Sequence, residues 1–171
     1  MLLTKKLSKK IFLTSSPAQT AELAGVFASC LRGGEIICLY GPIGSGKTVF
    51  VQGLSEALGA KERPVSASFG LMRSYAGRLK LRHFDLFRLE PKELGNLGME
   101  DFLAEKKTVI AVEWAGPARD FLPYDRLEIN LGLGGGDRRN IRVSCSGPQS
   151  AKLLKKALSI YSKKRAIGNE N

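Results

Sequence analysis

Apolar positions along the chain repeat with two different periods, and the way those periods alternate predicts the elements. Lys10–Thr14 reads as a short edge strand. Ser16-Pro17-Ala18-Gln19 then marks a helix start, with Ser16 as N-cap, Pro17 at the first helical position and Gln19 placed to complete a capping box. Leu23, Val26, Phe27, Cys30 and Leu31 follow at helical spacing, and Gly33-Gly34 reads as the stop. Glu35–Tyr40 is a short apolar run of the kind found in parallel strands buried on both faces. Beyond a glycine-rich segment comes a second amphipathic helix using Val51, Leu54, Ala57 and Leu58, closed by Gly59.

Leu79–Phe87 and Thr108–Val112 read as further strands, with the helix-like Pro91–Ala104 between them. Leu127–Leu131 and Ile141–Cys145 alternate in the strand manner across Gly132–Arg139, which predicts a hairpin. Gln149–Lys164 predicts a last amphipathic helix, with Leu153, Leu154, Ala157, Leu158 and Tyr161 on one face. Strands alternate with helices over the first two-thirds of the chain. That order predicts an α/β three-layer sandwich with a mainly parallel sheet and an antiparallel hairpin or edge strand. No repeat and no Pro-, Ser- or Gly-rich linker divides the chain, so residues 1–171 are expected to form one domain.

Composition narrows the class. Hydrophobic residues at 43% and charged residues at 25% are those of a globular protein, which excludes disordered, collagenous and coiled-coil readings. Cys30, Cys38 and Cys145 are odd in number and set in apolar stretches, so they read as small core hydrophobes in a reducing compartment. No apolar run approaches the ~20 residues of a membrane span. The apolar stretch Ile11-Phe12-Leu13 is too short for a signal-peptide core, so a cytoplasmic location away from membranes is expected. The net charge of +11 is concentrated at the ends: four lysines and no acid in residues 1–10, and five lysines with Arg165 against Glu170 in residues 152–171. A basic N-terminal arm (1–10) and a basic C-terminal helix and tail (149–171) are either solvated surface or arms that meet RNA or an acidic partner.

The segment after the buried strand carries the clearest chemistry. Gly41-Pro42-Ile43-Gly44-Ser45-Gly46-Lys47-Thr48 satisfies G-x-x-x-x-G-K-[S/T] in full. Glycines let consecutive backbone N–H groups turn inward around phosphate oxygens, and the following helix points its positive dipole end at the same place. Lys47 supplies charge for the β- and γ-phosphates, and the Thr48 hydroxyl is a Mg²⁺ ligand. A strand directly before and an amphipathic helix directly after distinguish this from a chance glycine-rich turn, and nucleotide binding follows.

A second metal-side group should be an acid at the end of a neighbouring apolar strand. Glu113, directly after Thr108–Val112, fits best, because a carboxylate buried there is tolerable only beside a cation. Asp85 is the other candidate, with a turn cap as its plainer role. His83 shares a strand face with Leu81 and Asp85 and reads as a satisfied structural histidine rather than a catalyst. Trp114 reads as core, a stacking platform or a partner contact. A small GTPase is excluded, since neither N-K-x-D nor D-x-x-G occurs. A small-molecule kinase stays open, although Glu90–Glu105 is acidic where an arginine-rich lid would be needed. So does a basic RNA-binding NTPase.

The order of segments resembles the TsaE (YjeE) family, the small ATPase of bacterial tRNA threonylcarbamoyladenosine synthesis. The residues that carry the resemblance are Thr14-Ser15-Ser16 with Thr20, Gly41–Thr48 with Gly53, and Val65–Leu71 with Tyr75. They continue with His83-Phe84-Asp85-Leu86-Phe87-Arg88-Leu89, Gly98–Phe102, Val112-Glu113-Trp114, Leu122-Pro123 and Arg139–Val143, spanning roughly residues 10–145. Two departures stand out. Pro42 replaces the family's aspartate after the first loop glycine, and Ser66–Leu71 lacks the family's proline and second threonine, with Ser68 keeping a hydroxyl.

The resemblance implies a P-loop NTPase-like fold, ATP and Mg²⁺ as cofactors, and Mg²⁺ held by Thr48 and Glu113. It implies Asp85 near the γ-phosphate or its attacking water, so that Asp85, Glu113 and Lys47 form the catalytic set. Gly41, Pro42, Ile43, Gly44, Ser45, Gly46, Lys47 and Thr48 would wrap the phosphates, with Thr20 and Arg139 approaching more loosely. It also implies partners, the TsaD and TsaB proteins of the transferase, with tRNA met indirectly or through the basic tails.

Overall fold

The strands earn their places by burial. All six residues of Thr108–Glu113 (β5) are buried, as are the first four of Ile36–Tyr40 (β2), so these two run through the middle of the sheet. The structure, a computed structural model, describes residues 9–65, 71–96 and 99–168. In chain order the other strands are Lys9–Thr14 (β1), Met72–Tyr75 (β3), Lys80–Asp85 (β4), Leu127–Leu133 (β6) and Arg139–Cys145 (β7). The helices are Pro17–Cys30 (α1), Lys47–Ala57 (α2), Met99–Leu103 (α3) and Pro148–Gly168 (α4).

The seven strands form one sheet in the order β1-β7-β6-β2-β5-β4-β3. Strands β4, β5, β2 and β6 are mutually parallel, whereas β7, β1 and β3 join antiparallel. This is the expected P-loop NTPase-like sandwich. One core lies between the sheet and α1, α2 and α4, where Phe27, Phe50, Leu54 and Ile129 are fully buried. A smaller one on the opposite face gathers Cys38, Phe84, Ile110 and Val112 under α3 and the segment around Ala115–Leu122. All three cysteines are buried and free, and burial pushes the Cys38 thiol up to about 12. Among the described residues no helix is long and apolar enough to cross a membrane.

Several local expectations need correction. Ser16 does cap α1, accepting from the Gln19 amide at 3.2 Å, but Gln19 reaches back to the Ser15 amide (2.8 Å) rather than that of Ser16. Helix α1 ends before the glycines, at Leu31 in extended conformation. Ala57 is exposed, and α2 instead buries Phe50 and Gly53. A Cβ at Gly53 would collide with the Ala21 backbone, so glycine there sets how closely α1 and α2 pack. The strand expected over Leu79–Phe87 is β4 alone, and β3 before it was not foreseen. Pro91–Ala104 is not one helix: Pro91–Asn96 is a 3-10 turn, and α3 is a separate short helix. The 127–145 hairpin stands as expected.

Candidate functional site

The carboxyl ends of β2, β4 and β5 meet at the glycine-rich loop, the usual place for a ligand in an open parallel sheet. Gly46 occupies the N-cap of α2 with φ of 96°, a left-handed conformation that glycine adopts without penalty. At Gly41 a side chain would run into the Leu131 carbonyl and the Ser45 hydroxyl. The loop therefore closes tightly, and the first amides of α2, which have no intrahelical acceptor, face the cavity it encloses.

Two cations grip the loop. Lys47 is 5% exposed and donates from Nζ to the carbonyls of Gly41 (2.8 Å) and Pro42 (2.9 Å). Its ammonium also sits 3.9 Å from the centre of the Trp114 ring, a cation–π contact. Burial pulls the Lys47 pKa down, against Glu113 and Asp85, which raise it. Arg139, at the start of β7, donates to the carbonyls of Ser45 and Gly44, both at 3.0 Å. A residue far along the chain thus holds the loop's outer turn.

The acids arrive in register, because β4 and β5 are parallel neighbours with Asp85 opposite Glu113. Asp85 is 3% exposed and accepts from the Phe87 amide at 3.1 Å, so it does serve as a turn cap while lining the cavity. Glu113 is 2% exposed and accepts from the Thr48 hydroxyl at 3.0 and 3.2 Å. His83 lies 2.9 Å from its Oε1. Trp114 then turns the chain with φ of 57°, an uncommon conformation for a bulky residue.

The resulting cleft has a volume of about 420 Å³, within the range of small-molecule sites. Thr20, Ile43, Gly44, Gly46, Lys47, Thr48, Asp85, Glu113 and Arg139 all line it. Gly41 and Pro42 border a neighbouring groove instead, and Ser45 lies fully buried behind the loop. Thr20 is almost fully buried, and its hydroxyl bonds to that of Thr14 at 2.8 Å, so it meets the cleft at its edge. Phe87, Val49 and Asp137 also line the cleft without having been expected as site residues. Phe87 packs against Trp114 with ring centres 4.7 Å apart and the rings tilted by 47°, which closes one wall. The Ser66–Leu71 segment, where the sequence departs from the family pattern, lies outside the described residues apart from Leu71.

The donor set suits a hard cation: one hydroxyl and two carboxylates converge where phosphates would lie. Among the described residues no group of three or more His, Cys, Asp or Glu forms a metal cage. Magnesium is ordinarily held that way, by one or two protein groups together with phosphate oxygens and water.

Known proteins are similar to this chain in sequence and fold. The family model described as "Threonylcarbamoyl adenosine biosynthesis protein TsaE" matches residues 14–141. A tRNA threonylcarbamoyladenosine biosynthesis protein TsaE from Bacillus subtilis is 33% identical over 135 residues, covering 78% of this chain and 84% of its own. Its counterpart from Nostoc is 37% identical over 119 residues, 67% of this chain and 70% of its own. The crystal structure of Bacillus subtilis YdiB superposes with a TM-score of 0.78 at 27% identity, covering 91% of this chain and 98% of that one. The chain belongs to the TsaE family, whose members take part in tRNA threonylcarbamoyladenosine biosynthesis.

Proposed function

We propose that this protein is a Mg²⁺-dependent ATPase that binds and resets the TsaD–TsaB threonylcarbamoyl transferase between tRNA turnovers. The observation that carries the reading is the convergence of Lys47, Thr48, Asp85 and Glu113 on one cleft at the N-terminus of α2. The loop amides bind the phosphates, and Lys47 exchanges its two carbonyl acceptors for phosphate oxygens. Thr48 and Glu113 hold the metal, which when bound offsets the charge of the terminal phosphates. Asp85 orients the attacking water. Arg139 is engaged with two loop carbonyls, so the lone chain has no arginine committed to the transition state in the described part of the cleft. On this reading the partners complete the transition-state contacts, so slow hydrolysis in isolation and acceleration by the pair are expected.

The site lies in the cytoplasm on this reading, and tRNA is met through the transferase pair or through the basic tails. Helix α4 lies beyond the family-matched residues and exposes Lys152, Lys155, Lys156 and Lys163 along one side. The test is a pull-down from bacterial lysate with ATP present, alongside a nucleotide competition. Recovery of the transferase pair and preference for ATP over GTP are expected. Capture without the pair, or GTP binding as tight as ATP, would refute the reading.

A further inference from the structure

The Glu113 carboxylate is reached by three hydrogen-bonding contacts from two elements: Thr48 touches both oxygens from α2, and His83 touches Oε1 from β4. His83 is fully buried, and its side chain lies on the same face of β4 as Leu81 and Asp85. Its other ring nitrogen, Nδ1, is buried without a partner among the described residues. A neutral imidazole carries one N–H. Placing it on Nε2 gives Glu113 a donor and leaves Nδ1 as a bare acceptor. The reverse tautomer would set a lone pair against a carboxylate and bury an unpaired N–H, which costs more.

We infer that His83 is a positioning residue: by donating from Nε2 to Oε1, it fixes the Glu113 carboxylate in the orientation from which Glu113 and Thr48 together receive Mg²⁺. The inference rests on the Mg²⁺-nucleotide reading of the cleft. Glu113 is the last residue of β5, and its side chain has several rotatable bonds. With Thr48 alone, the carboxylate could follow the hydroxyl away from the sheet when Thr48 turns to the metal. His83 sits on β4 within the sheet and does not take part in that exchange. It holds Oε1 and leaves Oε2 beside the Thr48 hydroxyl. A purely space-filling role against Tyr75, whose ring centre is 6.5 Å away, would need the volume of the imidazole but not its N–H.

The chain's composition makes the test direct, because it has one histidine and one tryptophan. Trp114 adjoins Glu113 and its ring contacts Lys47, so its fluorescence reports on the cleft. The full chain is saturated with a non-hydrolysable ATP analogue and titrated with Mg²⁺, comparing wild type, His83→Leu and His83→Gln. Thermal unfolding and analogue affinity in EDTA are recorded for each. For His83→Leu, analogue affinity in EDTA should stay within about twofold, while the apparent Mg²⁺ dissociation constant rises at least about tenfold. His83→Gln, whose amide can donate from the same place, should recover most of that loss.

Unchanged Mg²⁺ affinity in His83→Leu would overturn the inference. So would an equal loss in both variants. Nitrogen NMR of the single histidine in wild type needs no variant: an Nε2–H tautomer is expected, and an Nδ1–H tautomer would refute the assignment even if His83→Leu fails to fold. A wild-type chain that shows no Mg²⁺ response at all would instead bring down the metal reading of the cleft, and this inference with it.

Discussion

Charge is handled in opposite ways in two regions of this molecule. At the carboxyl ends of β2, β4 and β5, Lys47, Asp85 and Glu113 are each 5% exposed or less. Along α4, five lysines and Arg165 lie exposed, and the helix contains no acid. One of them, Lys164, pairs with Glu22 on α1 at 3.5 Å. Buried charges cost several kcal/mol each unless partners compensate, so the first group persists only because each member is held by the others or by backbone. Exposed lysines cost almost nothing and interact weakly with one another through water. On the proposed reading the first arrangement takes a ligand with concentrated charge, and the second a diffuse polyanion.

The buried group should be disrupted most severely at Lys47. Lys47→Ala removes the ammonium proposed to meet the phosphates and should abolish tight ATP binding, a loss of at least about a hundredfold by calorimetry. Unchanged affinity would refute the phosphate assignment. Glu113→Ala should do less to binding and more to turnover: it removes the carboxylate proposed to hold the metal, so hydrolysis should fall and its Mg²⁺ dependence weaken. Equal turnover in mutant and wild type would move the metal role to Asp85.

The exposed group should respond in the other currency, salt. Replacing Lys152, Lys155, Lys156 and Lys163 with glutamine should leave ATP hydrolysis within about twofold of wild type. The same variant should lower tRNA affinity and flatten its dependence on salt, since each lost phosphate contact removes about 0.7–0.9 from the log–log slope. An unchanged slope would mean that α4 is ordinary solvated surface.

The parts of this site that were legible in the sequence are those whose signal is local. Gly41–Thr48 spells its own conformation, and Glu113 is marked by the apolar strand that ends in it. The hairpin of β6 and β7 was equally plain, because alternation and a glycine-rich turn lie together in the chain. What escaped depends on pairing between distant segments. Strand β3 has only four residues, with Arg73 and Ser74 exposed, and owes its existence to the edge of β4. The His83–Glu113 contact joins residues thirty positions apart through the parallel register of β4 and β5, which no window of sequence contains. The available hint was a single histidine placed two residues before Asp85 on the same strand face. Lys47 over Trp114 is hidden for the same reason. Arg139 was placed near the nucleotide by family resemblance, and its actual grip on the loop carbonyls needed the fold.

Control of turnover separates a partner-dependent ATPase from a self-sufficient one. An arginine supplied at the transition state is worth about 10³–10⁵ in rate in phosphate-loop enzymes, and Arg139 is occupied with the loop backbone. The most direct measurement is steady-state phosphate release by the full chain with ATP and Mg²⁺, alone and with TsaD and TsaB from the same organism. Slow release by the lone chain is predicted, with a rise of at least about tenfold on adding the pair, roughly 1.4 kcal/mol of barrier. Fast hydrolysis by the lone chain, or no response to the pair, would contradict it.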